Sequence, residues 1–295
     1  MQIQHKKRLS NIRSSRHKNK PALDKNWERS TLQLKIAKIF NRVGVVFILL
    51  LLFVSSTTVT FFTIPEAVEK LGFIAWKHLM FTTFAFGSTF ANFLLAVFTN
   101  TSIPSNYELR GGTKTSLPIR AHYCRLCKSV ILKHDHHCYL LGKCIGYHNQ
   151  KYFIWFCWYS MVTAFYSLFL TALYLSLAHS VEFPGAWTYF LLLPRAVVGW
   201  FSGHTDAMEL ASTLLLYILL VGGFVAAGFF AWQIFLVVTG LTTHEALYGE
   251  KFRLKRQAGM CAKWTDVFGK YWFIGMVVPL PFPQCGNGLY EKLEN

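Results

Sequence analysis

Residues 43–63 read VGVVFILLLLFVSSTTVTFFT, a stretch without a single charged side chain. A helix rises about 1.5 Å per residue, and about 20 residues are enough to cross the hydrocarbon core of a bilayer. A buried helix of this length in a soluble protein normally keeps a polar face. The stretch therefore predicts a membrane-spanning helix.

Three more uncharged apolar stretches follow at 79–98, 152–178 and 210–238. Each is long enough to cross a bilayer by the same criterion. The first span begins only after 42 residues rich in Lys and Arg, which is too late for a cleaved secretory signal. The predicted fold class is an all-α membrane protein with four transmembrane helices.

The basic residues are unevenly distributed along the chain. Residues 1–42 hold 12 of the 30 Lys and Arg, residues 99–151 hold eight and residues 239–295 hold seven, which leaves three for the other loops. Membrane proteins concentrate Lys and Arg on the cytoplasmic side. Both termini and the middle loop are therefore predicted to be cytosolic. We therefore attribute the net charge of +16 to the membrane topology, with the lipid bilayer as the partner, and do not predict nucleic-acid binding.

These features divide the chain into five segments. The first, 1–42, is a basic cytosolic tail in which apolar residues at helical spacing over 27–40 predict a helix on the membrane interface. The others are spans 1 and 2 (43–98), the cytosolic cysteine-rich loop (99–151), spans 3 and 4 with a lumenal loop at 179–209 (152–238), and the cytosolic C-terminal segment (239–295).

Within the lumenal loop, residues 187–201 are apolar but short, and Pro194-Arg195 interrupts them. A segment of this length is too short for an ordinary transmembrane helix. We predict that it lies on the membrane or dips into it, and that it is not a fifth span.

Six of the seven cysteines fall in the segments predicted to be cytosolic, and the seventh, Cys157, lies inside a span. Thiols kept in a reducing compartment are used for metal binding or catalysis more often than for disulfides. The cysteine-rich loop is therefore the place where the sequence predicts chemistry.

The loop contains a zinc-binding pattern with two possible completions. Cys124-x2-Cys127 is the kind of knuckle that begins many tetrahedral zinc sites. The other two ligands could be Cys138 and Cys144, which gives a four-cysteine site. They could equally be His137 and Cys144. Spacing does not choose between the two sets.

The second ligand set leaves Asp135, His136 and Cys138 beside a metal-braced loop. A thiol attacks only as its thiolate, and a neighbouring imidazole oriented by a carboxylate takes up the proton. The three residue types are right for such a relay, although nearness in sequence does not establish its geometry. The first ligand set would instead make Cys138 structural.

With these residues the chain resembles the DHHC family of membrane protein S-acyltransferases, also called palmitoyltransferases. The four letters are Asp135-His136-His137-Cys138, and Thr242-Thr243-His244-Glu245 fits the family's TTxE motif. Four spans with a cysteine-rich loop between the second and third fit as well. Further positions that fit the family's pattern around the loop are Pro118, Arg120, Cys144, Gly146, Asn149 and Phe153.

The resemblance implies an enzyme in which Cys138 carries a transient fatty thioester, His136 is the base and Asp135 orients it. It implies one structural Zn²⁺ held by the second ligand set, and acyl-CoA as the co-substrate. The acyl group would pass to cytosolic cysteines of membrane-associated proteins, at the Golgi or endoplasmic reticulum. The residues expected to support the active site are Thr243, Thr242, Glu245, Asn149 and Arg120.

The chain also departs from the family's pattern. The family usually holds two zinc ions, but here no C-x2-C precedes Pro118, and Tyr123 and Val130 replace two ligands of the first site. We expect one zinc, with packing by Tyr123, Val130 and Ile131 in place of the other. Tyr139-Leu140 also replaces the usual Pro-Trp.

A second departure lies near the C-terminus, where Lys263 stands close to the position of an expected asparagine. These changes keep open an alternative function, a catalytically silent, zinc-braced membrane scaffold. A metal transporter is disfavoured, because the spans lack the carboxylates and histidines that such a pathway needs.

Overall fold

A computed structural model describes residues 20–72, 74–103, 118–185, 187–248, 259–286 and 288. The first 19 residues of the predicted N-terminal tail, most of the linker before Pro118 and the last residues of the C-terminal segment lie outside this set. In the described part of the chain, four helices are long and apolar enough to cross a membrane. This confirms the predicted fold class.

The first span is one continuous helical rod. Helix α1 (Lys20–Thr58) passes through a π-helical turn (Val59–Thr63) into α2 (Ile64–Leu71). Proline accounts for the π-helical turn, because Pro65 has no N–H to donate and its ring crowds the preceding turn of the helix. Residues 27–40, predicted to form an interfacial helix that leads into the first span, belong to the same continuous helix as the span.

Three further long helices complete the membrane part. They are α3 (Ala75–Phe98), α4 (Gln150–His179) and α6 (Ala207–Thr239). Helix α4 packs between α3 and α6, whereas α1 leaves most of its side chains exposed. Small and polar residues let α3 approach α4 closely, and Thr89 Oγ1 lies 3.1 Å from Thr163 Oγ1.

The short apolar segment between the third and fourth spans forms helix α5 (Thr188–Phe201). Its 14 residues extend about 21 Å, which is less than the bilayer core. Leu192 and Ala196 are buried against the spans. The side chains on its opposite face are exposed and apolar, namely Trp187, Phe190, Leu191, Val198 and Phe201.

The cysteine-rich loop folds into two small antiparallel hairpins. Strands β1 (His122–Cys124) and β2 (Ser129–Ile131) form the first, and β3 (His136–Cys138) and β4 (Lys143–Ile145) form the second. Among the residues described after the last span are three short helices, α7 (Thr243–Tyr248), α8 (Met260–Phe268) and α9 (Trp272–Val277). Helix α8 packs on the loop-side ends of α4 and α6, so the loop is held between the spans and the C-terminal segment.

Candidate active site and metal centre

The alternation of side chains along β3 separates two centres. Successive residues of a strand point to opposite faces, so His136 and Cys138 share one face and His137 lies on the other. Pairing with β4 places His137 directly opposite Cys144. Two adjacent histidines thus belong to two different sites.

The His137 face carries the metal-binding group. One donor atom each from Cys124, Cys127, His137 and Cys144 lies within 4.8 Å of the others. His137 Nδ1 is 3.5 Å from the Sγ atoms of Cys124 and Cys127, and 3.4 Å from Cys144 Sγ. Zinc–sulfur bonds of about 2.3 Å in a tetrahedron separate the ligands by about 3.7 Å. The donor set and its spacing therefore fit a four-coordinate Zn²⁺.

Electrostatic coupling within this cluster lowers the pKa of one thiol, Cys127, and raises the pKa of its neighbour Cys144. The Cys144 thiol and the His137 imidazole lower the pKa of Cys127 to about 4, against the opposing effect of burial. The amide N–H of Cys127 also donates to Cys124 Sγ over 3.4 Å. The four-cysteine set does not assemble, because Cys138 lies on the other face of β3.

The positions that would hold a first zinc form an ordinary cross-strand pair. Tyr123 lies directly opposite Val130 in the first hairpin. Val130 packs against the loop's small core, and Ile131 is buried beside Cys124. Tyr123 is 59% exposed, so the expectation that it contributes packing is wrong.

Asp135, the residue immediately before β3, is buried and accepts three hydrogen bonds. The donors are His136 Nδ1 at 2.8 Å, Gln233 Nε2 at 2.7 Å and the Thr243 amide at 2.6 Å. Burial would raise the pKa of Asp135, but these donors, with the His136 charge, outweigh it and lower the pKa to about 2. The carboxylate is therefore ionised at neutral pH.

The carboxylate holds the His136 imidazole in one orientation. Burial alone would lower the pKa of His136, but Asp135 and the Cys138 sulfur raise it to about 9. The ring also packs edge-to-face on Phe153, with centroids 5.2 Å apart. Its Nε2 atom is buried and makes no hydrogen bond to any residue of the described chain. This arrangement suits proton exchange with Cys138.

The TTxE motif closes the site through a capping box at the start of α7. Thr242 Oγ1 accepts from the Glu245 amide at 3.3 Å, and Glu245 Oε2 accepts from the Thr242 amide at 2.8 Å. The box fixes the next residue, Thr243, whose amide reaches Asp135. The motif thus positions the aspartate through a backbone donor.

Arg120 fastens the loop to the same box. Its guanidinium donates to both carboxylate oxygens of Glu245, at 2.6 and 2.5 Å, and to the Gly240 carbonyl at 2.6 Å. Both charged side chains are almost fully buried. Arg120 and Glu245 therefore form a bidentate ion pair between the loop and the first turn of α7.

Asn149 and Lys263 tie further parts of the chain together. Asn149 Nδ2 donates to the carbonyls of Ala96 and Cys144 at 3.0 and 2.9 Å, which links the zinc loop to the end of α3. Lys263 Nζ donates to the carbonyls of Val238 and Thr239. The lysine near the expected asparagine position thus caps the C-terminal end of α6.

Two residues of the site were not predicted from the sequence. Gln233 contacts Asp135, and its Oε1 accepts from Gln150 Nε2 at 3.1 Å. Asn41 Oδ1 lies 3.1 Å from Nε2 of His137. A signal existed, since polar side chains within or beside apolar spans are costly and therefore often functional.

A cavity of about 520 Å³ lies between the spans, and Cys138 is among the residues that line it. Its walls come from α1, α4 and α6 and are almost entirely apolar. Tyr217 lies among the lining residues, and its hydroxyl bonds to the Tyr189 carbonyl and accepts from the Leu193 amide of α5. Other lining residues are Phe47, Leu51, Phe153, Phe156, Gly222 and Phe229.

The chain is similar in sequence to known proteins. A profile of the DHHC palmitoyltransferase family matches residues 103–249. The palmitoyltransferase ZDHHC22 of Danio rerio is 34% identical over 72% of this chain and 80% of its own length. The human palmitoyltransferase ZDHHC22 is 30% identical over 72% and 81%, and palmitoyltransferase pfa3 of Aspergillus fumigatus is 35% identical over 44% and 20%. The similarity spans both the loop and the membrane helices, and the chain belongs to the DHHC palmitoyltransferase family.

Proposed function

We propose that this protein is an S-palmitoyltransferase that transfers a long-chain acyl group from acyl-CoA, through a thioester on Cys138, to cysteines of membrane-associated proteins. The observation that carries the proposal is the position of Cys138. It lines the apolar cavity and lies beside an imidazole that Asp135 orients. A scaffold would require neither feature.

The first half-reaction acylates the enzyme. The raised pKa of His136 keeps its imidazole protonated at neutral pH. The nucleophilic form of a cysteine is its thiolate, and a neighbouring imidazolium is a common way for a protein to supply that form. The thiolate attacks the thioester carbonyl of acyl-CoA, and the bond from that carbonyl to the CoA sulfur breaks. The departing CoA thiolate takes the proton from His136. The products are S-acyl-Cys138 and free CoA.

The second half-reaction returns the enzyme to its starting state. The thiol of a substrate cysteine gives its proton to His136 and attacks the acyl carbonyl on Cys138. The bond from the carbonyl to Cys138 Sγ breaks, and Cys138 leaves as a thiolate opposite the imidazolium. Asp135 stays ionised throughout and keeps Nδ1–H of His136 directed at its carboxylate.

Acyl-chain burial supplies much of the substrate binding. Each methylene transferred from water to an apolar site contributes about 0.8 kcal/mol. The cavity walls present apolar side chains such as Leu51, Phe156 and Phe229 to the chain. The CoA moiety remains on the cytosolic side, where the basic loop residues lie.

Zinc would act as a structural ion. Cys124, Cys127, His137 and Cys144 fill four coordination positions, so the site has no open position for a substrate. When bound, the ion holds the two hairpins together and thereby fixes β3, which carries His136 and Cys138. The expected support roles of Thr243, Thr242, Glu245, Asn149 and Arg120 follow from their contacts described above.

The same proposal includes the topology and the location. Both termini and the loop at 99–151 face the cytosol, in keeping with the concentration of Lys and Arg in these segments. The five-segment division of the chain follows from that topology. The protein resides in the Golgi or endoplasmic reticulum membrane.

Autoacylation tests the proposal. Purified full-length protein is incubated with labelled palmitoyl-CoA, and the label released by hydroxylamine is counted. We expect thioester label on the wild type and none on Cys138→Ala. Cys157→Ala is a matched control, because Cys157 lines the same cavity but belongs to α4 and not to β3. Equal label on the wild type and Cys138→Ala, or none on folded wild type, would refute the mechanism.

A further inference from the structure

Helix α1 meets the rest of the protein along one narrow stripe. Most of its side chains face outward, and the 18-residue apolar window of the first span is only 11% buried. The stripe that touches the cysteine-rich loop contains Asn41, Gly44 and Val45. These positions are one turn apart or adjacent, so they share one face of the helix.

Asn41 contacts the only non-cysteine member of the metal-binding group. His137 directs Nδ1 at the three thiols and Nε2 at Asn41 Oδ1, 3.1 Å away. An imidazole bound to a metal through Nδ1 carries its proton on Nε2, which then must donate. The carboxamide oxygen of Asn41 is the acceptor that this tautomer requires.

Backbone contact reinforces the side-chain contact. A Cβ atom on Gly44 would lie 2.5 Å from the Tyr139 carbonyl oxygen and 3.2 Å from the Leu140 Cα. A Cβ on Gly142 would lie 3.3 Å from Val45 Cγ2. Helix and loop therefore approach as closely as the absence of these side chains allows.

The same helix forms a wall of the cavity. Going away from the loop, Phe47, Ile48, Leu51, Leu52 and Ser55 all line it. The far end of the same rod is held where Val59 and Ile64 pack against Leu170 of α4, so the attachment to the loop is what holds the end of the wall nearest Cys138. The metal group and the cavity are thereby joined through a single helix.

We infer that Asn41 is a positioning residue that orients His137 at the metal and, together with Gly44, fastens α1 to the zinc loop so that the acyl cavity stays closed on that side. The inference rests on the zinc assignment in the proposed function. It adds to that function an outer partner of the metal ligand and a link from the metal to the acyl-binding wall.

Zinc competition tests the role of Asn41. Full-length wild type, Asn41→Leu and Asn41→Asp are titrated with a chromogenic chelator, and zinc retention is measured independently of activity. Loss of an outer hydrogen-bond partner typically weakens metal affinity about 10–100-fold, and we expect this for Asn41→Leu. Asn41→Asp keeps an acceptor oxygen and should retain zinc like the wild type. Val43→Leu is the control, because Val43 lies on the same turn and is 57% exposed.

The outcomes separate this inference from the proposed function. Zinc in the wild type together with equal retention in Asn41→Leu overturns the inference alone. If the wild type holds no zinc, both the inference about Asn41 and the zinc assignment in the proposed function are overturned. If Asn41→Leu does not fold, Asn41→Gln replaces it, because one added methylene displaces the acceptor. Weaker retention in Asn41→Gln than in Asn41→Asp supports the inference, and equal retention overturns it.

A kinetic measurement tests the link to the cavity. Gly44→Val places a branched side chain where the Tyr139 carbonyl now lies and should lift α1 from the loop. We expect a higher KM for palmitoyl-CoA with a smaller change in kcat, because the wall contacts the acyl chain and not the reacting atoms. An unchanged KM in this variant would overturn the link.

Discussion

Gln233, in the last membrane helix, donates a 2.7 Å hydrogen bond to the same Oδ2 oxygen of Asp135 that accepts from His136. Both the glutamine and the aspartate are buried. A membrane helix thus shares the carboxylate with the proposed catalytic base. Hydrogen bonds to a buried charge contribute about 1.5–3 kcal/mol each, so this contact is large enough to affect catalysis.

We therefore predict that Gln233→Leu lowers the autoacylation rate by about 10–100-fold, since Asp135 would lose a donor of that strength. Gln150→Leu is the matched comparison, because Gln150 reaches Gln233 but not Asp135. Its effect should be several-fold smaller. Equal effects of the two variants would show that the hydrogen bond from Gln233 to Asp135 does not determine the autoacylation rate.

The fold could be predicted from the sequence because the spans are long and uncharged. Hydropathy alone places the four helices, and the structure differs mainly at their ends. The continuity of α1 back to Lys20 could not be seen in this way, because charged residues interrupt the apolar pattern without interrupting the helix.

The site was only partly predictable. Spacing allowed either His137 or Cys138 to join the metal group, and the pairing of β3 with β4 distinguishes them by placing the two on opposite faces. The contacts of Gln233 and Asn41 join residues 98 and 96 positions apart. No local pattern encodes such pairs, because they depend on how the spans pack.

The buried pair of Arg120 and Glu245 should dominate the stability of the loop. Removing one partner of a buried ion pair leaves an uncompensated charge and costs about 3–5 kcal/mol. We expect Arg120→Leu to lower the Tm strongly in a fluorescence-detected thermal unfolding assay. The double variant Arg120→Leu, Glu245→Leu should regain part of that loss, because it leaves no buried charge.

The control for this prediction is an exposed ion pair. Glu66→Gln breaks the Lys70–Glu66 pair, whose side chains are 42% and 26% exposed. Exposed pairs contribute about 0–1 kcal/mol, so its Tm should hardly change. A double variant less stable than Arg120→Leu would contradict the explanation based on an unpaired charge.

The zinc content of variants should distinguish the cysteine that binds the metal, Cys144, from Cys138 on the other face of β3. We predict one zinc per chain in the wild type, close to none in Cys144→Ala, and one in Cys138→Ala, because only Cys144 belongs to the donor cluster. Elemental analysis of purified protein by mass spectrometry measures this directly. Two zinc ions per wild-type chain would contradict the loss of the first zinc site. Loss of zinc in Cys138→Ala would show that Cys138 is a zinc ligand, as in the four-cysteine set.

The cavity predicts a dependence on acyl-chain length. Gly222 lines the cavity, and a Cβ there would meet no atom within 4 Å, so Gly222→Leu should fill open space without a clash. Each methylene that no longer fits costs about 0.8 kcal/mol, or about fourfold in KM. We expect KM to rise for palmitoyl-CoA and to change little for a much shorter acyl-CoA.

Gly228→Leu is the control for this experiment. Gly228 lies on the same helix and has equally open space around its Cβ position, but it is not among the residues that line the cavity. A leucine at this position changes helix propensity and volume in the same way while leaving the cavity intact. Chain-length dependence that shifts equally in both variants would mean that the helix, and not the cavity wall, senses the substitution. A shift confined to Gly222→Leu would place the acyl chain between the spans during the reaction.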